Sequence, residues 1–319
     1  MTRHARKSYF AILSLAAFIL MLSGAAYANI EETIEKSFTV KPGGTLKVDT
    51  KRGSIEVEGH RGSTVEVKVI REVKTSDKEE AQKLLEKFLV DFDQRGDDIT
   101  ITATYDEKNL VKKLLNDINK KLRVKFVISV PDVYNVDLQT SGGSVGVRGL
   151  EGRILSRTSG GSMTFDGITG DIEGRTSGGS IKIGNVEGDT DIHTSGGSIT
   201  IEKAAGKVDA HTSGGSITVH EVMGEIQADT SGGSIKAYIS RQPADSCRLT
   251  TSGGSLTVYM ADDVSVDVNA RTSGGRVNTE FPVTVQGEIK RSNLQAKING
   301  GGPELYLRTS GGSIYLKKK

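Results

Sequence analysis

The sequence has no tryptophan, a single cysteine and only five prolines in 319 residues, and aromatic side chains make up 5% of it. So few rings exclude a large globular core of the usual kind, in which Phe, Tyr and Trp supply much of the buried area. A lone thiol, Cys247, excludes an internal disulfide framework. An excess of one charge is missing too. The 42 Lys and Arg stand against 40 Asp and Glu, a formal +2, which gives no electrostatic reason to bind nucleic acid. What the sequence has in abundance is glycine, 39 residues, about 12% against a usual ~7%.

Residues 1–28 differ in kind from the rest. Arg3, His4, Arg6 and Lys7 make a basic start, residues 9–22 are mainly apolar, and Ala26-Tyr27-Ala28 precedes Asn29. This is the order of a secretory signal peptide, and the apolar run is shorter than a membrane span requires. Ala25 stands where an acylated cysteine would follow Leu22-Ser23-Gly24, which speaks against a lipoprotein. Cleavage after Ala28 removes Arg3, Arg6 and Lys7 and no acid, so the net charge passes from +2 to −1. The mature chain, residues 29–319, is expected to be periplasmic or extracellular and to hold together without disulfides.

The glycines fall in a repeated phrase. Thr-Ser-Gly-Gly begins at Thr140, Thr158, Thr176, Thr194, Thr212, Thr230, Thr251, Thr272 and Thr309, at intervals of 18, then 21 and finally 37 residues. A fixed period near 20 marks a solenoid, in which each repeat buries its apolar side only against its neighbours. Five positions after each Thr come Val145, Met163, Ile181, Ile199, Ile217, Ile235, Leu256, Val277 and Ile314, and seven positions after it the residues are again mostly apolar. Residues two apart on a strand share a face, so these columns point inward. Gly152, Gly170, Gly188, Gly206 and Gly224 recur twelve positions after the Thr and mark a second corner that needs positive φ or close backbone approach. Each coil is strand, Gly corner, strand, Gly-Gly corner. With rungs ~4.8 Å apart, the inward threonines form a ladder that bonds to itself or to the corner backbone.

The expected architecture is all-β: a single-chain β-solenoid of about ten coils with 18–21-residue repeats, regular over residues 140–319. The 21-residue intervals read as looser corners, one around Pro243. The 37-residue interval reads as nearly two coils, with Asn299-Gly300-Gly301-Gly302 as a degenerate corner. Thr50 to Val57 is a worn copy of the phrase and the first coil. Between them lies a two-helix insertion, residues 76–122. Ser76 with Glu79 makes a capping box, and Ala81, Leu84, Leu85, Phe88 and Leu89 share one helical face. After a strand at residues 99–105, Leu110, Val111, Leu114, Leu115, Ile118 and Leu122 form a second stripe. Lys112, Lys113, Lys120 and Lys121 give it a basic side, which opens membrane association through the insertion; the favoured reading is that both helices close the end of the stack.

The signal peptide, the Phe-x-Val-x-Pro-Gly-Gly opening at residues 38–44, the stretch around Pro131 at residues 128–138 and the serial Thr-Ser-Gly-Gly-Ser coils resemble the bacterial putative-adhesin family of exported β-solenoid domains. The resemblance implies a cell-envelope repeat protein with no enzymatic activity. The residues themselves offer little chemistry. Calcium-binding β-rolls need a regularly placed Asp that the Ser-Gly-Gly-Ser corner lacks. Serine recurs in every coil, so none is singled out as a nucleophile. The single inward Thr does not make the exposed Thr-x-Thr ranks of ice binders.

One outward column stands out. The residues before each Thr include His193, His211 and Asp229, with Asp191 and Asp209 two positions before the histidines. On stacked rungs ~5 Å apart they could hold a transition metal; the competing reading is an ordinary solvated face. No catalytic residue and no cofactor is expected. The expected function is an exported, non-enzymatic, adhesin-like binding or scaffold protein with an envelope, surface or glycan partner. The alternative is a carbohydrate-active enzyme, lyase or hydrolase, with two carboxylates roughly 5 to 10 Å apart. End-to-end assembly through the strand at residues 313–316 is opposed by Lys317, Lys318 and Lys319, which read as edge protection.

Overall fold

Alternation of β-branched and polar residues sets the local structure, and the glycines set its length. In a computed structural model, which describes residues 29–106, 117–118, 120–285 and 290–319, short strands fall into two long sheets of 13 and 14 strands. The predicted signal peptide, residues 1–28, and most of the second predicted helix lie outside the described residues. A typical coil gives one strand to each sheet: Ile172–Thr176 to the larger, Ile181–Glu187 to the smaller. Neighbouring coils pair in parallel and in register, Ile154 beside Ile172 and Thr158 beside Thr176, then Thr176 beside Thr194. Each column of the repeat is therefore a physical row along the stack, and the inward rows, such as Ile181, Ile199, Ile217 and Ile235, are buried.

The threonines bond to the corner backbone. Thr176 Oγ1 donates to Gly161 O in the rung before (2.9 Å) and accepts from the Gly179 N–H of its own corner (3.4 Å); Thr194, Thr212 and Thr230 repeat the arrangement. A buried hydroxyl is thus paired, and each rung is stitched to the previous one. The last Ser of the phrase acts likewise from outside, its Oγ accepting the N–H of the next rung's Ser, as Ser180 does from Ser198 (3.2 Å). The two glycines of the phrase are not equivalent. A Cβ on Gly179 would overlap Gly161 O, whereas one on Gly178 would lie 3.7 Å from its nearest neighbour. At the other corner Gly152 and Gly170 have φ of 154° and 138°, and Gly188, Gly206 and Gly224 are pressed against the carbonyl of the glycine one rung earlier.

Among its described residues the insertion holds two strands as well as helix, and residues 117–118 and 120–121 are helical. One helix, Lys78–Glu86, is capped by Asp77, whose side chain accepts from Glu79 N and Glu80 N; Ser76 is not the cap. It ends sooner than the apolar spacing suggests. Phe88 and Leu89 begin the strand Phe88–Arg95, which pairs antiparallel with Asp98–Tyr105, so Phe88 is buried while Leu89 is exposed. Alternation in Phe88-Leu89-Val90-Asp91-Phe92 competes with the helical period and prevails because Tyr105 to Ile101 offers a pairing edge. The strand Leu122–Pro131 then returns to pair in parallel with Ser54–His60, and Thr64–Val73 and Ile30–Thr39 add antiparallel strands beyond it. Arg71 fastens the helix to this end: it donates to Leu85 O and Phe88 O and meets Glu32 at 2.7 Å.

At the other end the order of coils departs from the order of the sequence. Thr309 pairs with Thr251 on one side and Thr272 on the other, and Ile314–Lys318 lies between Leu256–Met260 and Val277–Thr279. The final coil is therefore intercalated one rung inside the stack. Its hydrogen bonds confirm the position: Thr309 Oγ1 donates to Gly254 O and Thr272 Oγ1 to Gly312 O, both at 2.7 Å. The 37-residue interval is accordingly not two coils. Asn293–Ile298 doubles back antiparallel on Val266–Thr272, and Asn299, Gly300 and Gly301, all at positive φ, make the reversal. The strand expected at a free edge is an interior one over Ile314–Leu316, while Lys317 and Lys318 pair on one side only, with Tyr259 and Met260.

Candidate functional site

Because the rungs are in register, outward side chains also form rows. On the 14-stranded sheet the position before each Thr runs Gln139, Arg157, Arg175, His193, His211, Asp229, Thr250 and then, by intercalation, Arg308 before Arg271. Beside it runs Leu155, Glu173, Asp191, Asp209, Gln227, Arg248 and Tyr306. Alternating charge closes much of this surface on itself. Glu173 takes Arg157 and Arg175 at 3.2 Å each, and Arg175 reaches on to Asp191 at 3.0 Å. Asp229 accepts from Thr250 Oγ1, and the Arg248 guanidinium sits 4.5 Å over the Tyr306 ring.

His193 and His211 come together as the sequence predicts, though as a stack. Their ring centroids are 4.7 Å apart and their planes 16° from parallel. Asp191 and Asp209 pair across the same two rungs, and Asp229 is opposite His211 on the next. Among the described residues no group of three or more His, Cys, Asp or Glu is disposed to hold a metal ion; the rows place these groups one above another without turning them toward a common point. A groove of about 340 Å³ runs beside them, with Asp171, Glu173, Asp189, Asp191 and Asp209 in its lining. Two of these acids belong to the scaffold: Asp171 accepts from Asp189 N and Asp189 from Lys207 N.

The titration of this face follows from burial and neighbours. Desolvation pushes the His193 imidazole below its ordinary value, helped by His211 and Arg175 and opposed by Asp191 and Asp209. Desolvation, then the Asp191 charge, raises the Asp209 carboxyl. The hydrogen bond from Arg175 holds Glu173 low.

The opposite face carries a ladder that the sequence reading missed. His220 stacks on Tyr238 (4.9 Å, 13°) and Tyr238 on Tyr259 (4.7 Å, 10°). Glu202 lies 3.7 Å from His220, and the Lys317 ammonium stands 6.0 Å over Tyr259 and 5.9 Å over Tyr315. The signal was present eight positions after each Thr: Glu202, His220, Tyr238, Tyr259. Lys317 occupies the same column, but sequence order would have put Glu280 next to Tyr259.

No curated protein matches the chain. Solved structures that resemble it include a putative adhesin from Parabacteroides distasonis ATCC 8503, 14% identical over 90% of this chain and 97% of that one with a TM-score of 0.45. Others are a putative adhesin from Parabacteroides merdae ATCC 43184, 12% identical over 90% and 96% with a TM-score of 0.41, and a putative lipid binding protein from Parabacteroides distasonis ATCC 8503, 12% identical over 91% and 96% with a TM-score of 0.38. A family model matches residues 44–317, from the first coil to the intercalated last one, and by that match the chain belongs to the Toastrack DUF4097 family.

Proposed function

We propose that this is an exported, non-enzymatic protein of the cell envelope that binds an extended partner, a glycan or surface polymer, along its sheet faces. The observation that carries the reading is register: outward positions recur at one strand spacing over successive parallel rungs, in short runs of like residues such as Glu173, Asp191 and Asp209 or His193 and His211. A polymer with its own repeat meets similar groups several times, and contacts that are individually weak add once the first has formed. The leader at residues 1–28 directs the chain out of the cytoplasm, and among the described residues no helix is long and apolar enough to cross a membrane.

The test is binding of the purified protein to envelope fractions and a glycan panel, with release of new reducing ends followed in the same samples. Saturable binding that leaves the glycan intact is the expected result. Cleavage would instead favour a carbohydrate-active enzyme, with Glu173, Asp191 and Asp209 as the carboxylates to mutate first. Failure to bind any envelope material would overturn the reading.

A further inference from the structure

The first corner departs furthest from the phrase; among the later ones only the Thr272 coil changes it, with Arg276 in place of the last Ser. Where the rest read Thr-Ser-Gly-Gly-Ser, this one reads Thr50-Lys51-Arg52-Gly53-Ser54, yet Thr50 stacks on Thr140 in the common register and Thr140 Oγ1 donates to Gly53 O as at every other rung (2.8 Å). The bond from the next rung is therefore kept, although within its own corner Thr50 Oγ1 donates to Arg52 O (2.6 Å) and Gly53 stands at φ 120°; the two basic residues are an addition to the corner. They are joined by Arg123 and Lys125 from the neighbouring strand, where Ser54 pairs with Lys125. A groove of about 660 Å³ opens between these four side chains, with Ile70, Tyr105 and Val124 in its lining and one carboxylate, Glu72, which lies opposite Arg123 and accepts from Asn29 Nδ2.

Charge and shape agree on a class of ligand. Lys51 and Arg123 are exposed, and neither is ion-paired among the described residues. Lys125 meets Glu56 at 2.9 Å with both side chains about half exposed (44% and 56%), an arrangement that costs little to open. Arg52 is held in place, its Nε donating to Leu122 O (2.7 Å). Guanidinium and ammonium groups around an apolar floor that includes a tyrosine suit a sugar ring bearing an anionic group: the ring lies on carbon and the anion takes charge-assisted hydrogen bonds. The chain carries no overall basic excess, so the attraction is local to this corner. From this we infer that the altered first corner is a binding site for an acidic polysaccharide, held through its carboxylate or sulfate groups. The inference rests on the envelope-binding reading above and gives it a place and a ligand chemistry.

The test uses calorimetric titration of the purified protein with polygalacturonate, dextran sulfate and neutral dextran, and a sedimentation assay with phosphatidylglycerol vesicles. Binding of one or both acidic polymers but not dextran is expected, the carboxylate and sulfate arms distinguishing the two anions. The double variant Lys51→Ser with Arg52→Gly gives this corner the Thr-Ser-Gly-Gly-Ser of the Thr140 rung it stacks on, and should weaken binding about tenfold or more, the loss of at least one charge-assisted contact. Arg123→Gln, which leaves the corner itself untouched, should weaken it several-fold and flatten its salt dependence, with circular dichroism unchanged in both variants. Acidic polymers bound equally well by wild type and both variants would overturn the site while leaving envelope binding intact. Capture of vesicles in preference to either acidic polymer would overturn the ligand class, and failure of the wild type to bind any acidic polymer would overturn the proposal whatever the envelope fractions show.

Discussion

At the scale of single residues, position in the stack decides the cost of a change. Gly179→Ala should destabilise by about 3 kcal/mol or more, because its Cβ would overlap the Gly161 carbonyl and backbone has nowhere to move inside a packed ladder. Gly178→Ala, one residue away, should cost about 1 kcal/mol or less; paired urea melts compare the two. Thr190 sits in an otherwise apolar row between Ile172 and Val208, and its buried hydroxyl has no partner. Thr190→Val should therefore stabilise, by about 1 kcal/mol. The histidine stack makes stability depend on pH. His193 binds its proton less tightly when folded than its ordinary value of 6.5, so the unfolded chain takes up more protons as pH falls from about 6.5 through the lowered folded value, and stability is lost in that window. Melting curves from pH 7.5 to 5.5 should show this fall, and His193→Gln should reduce it. Asp209, raised by burial, works in the opposite sense and at lower pH, gaining stability as it protonates on the way down toward 3.8.

Elements obey the same logic where the repeat stops. Arg71 is 8% exposed and carries the end of the helix Lys78–Glu86 through Leu85 O while pairing with Glu32. Removing Arg71 leaves the Leu85 and Phe88 carbonyls without their donor and opens a cavity beside them, so Arg71→Ala should cost about 3 kcal/mol and speed hydrogen exchange across residues 78–86 more than elsewhere. The repeating strands were legible because one period fixes both corner and face: a row such as Ile181, Ile199 and Ile217 needs no tertiary knowledge. The helix boundary was not legible. Residues 84–92 satisfy both a 3.6-residue and a 2-residue period, and only the presence of the Asp98–Tyr105 edge decides between them. The histidine pair was readable by alignment on the Thr, and so in principle was the Tyr238 and Tyr259 stack. The basic corner was visible only as a departure from the phrase, since Arg123 and Lys125 reach it from a strand 70 residues on.

On the scale of the whole molecule, a stack of parallel rungs has an inside and two ends, and intercalation puts the last coil inside. Hydrogen exchange should show it. Amides of Leu305, Leu307, Ile314 and Leu316 should be protected like those of the Thr194 rung, while Thr284–Val285 and Asn293–Ile298, at the margin of the 14-stranded sheet, should exchange first. Were coils stacked in sequence order, the protection of the two segments would be reversed. Sequence could not reveal this, because the Thr272 and Thr309 phrases offer the Thr251 rung the same threonine, glycines and carbonyls. The consequence is mechanical. Tension applied through Lys319, once past the one-sided pairing of Lys317 and Lys318, must part pairing on both sides of Ile314–Leu316 together, whereas tension applied at Val285 can peel antiparallel strands one bond at a time. A tether at the C-terminus would hold against pulling better than one at the margin of the stack.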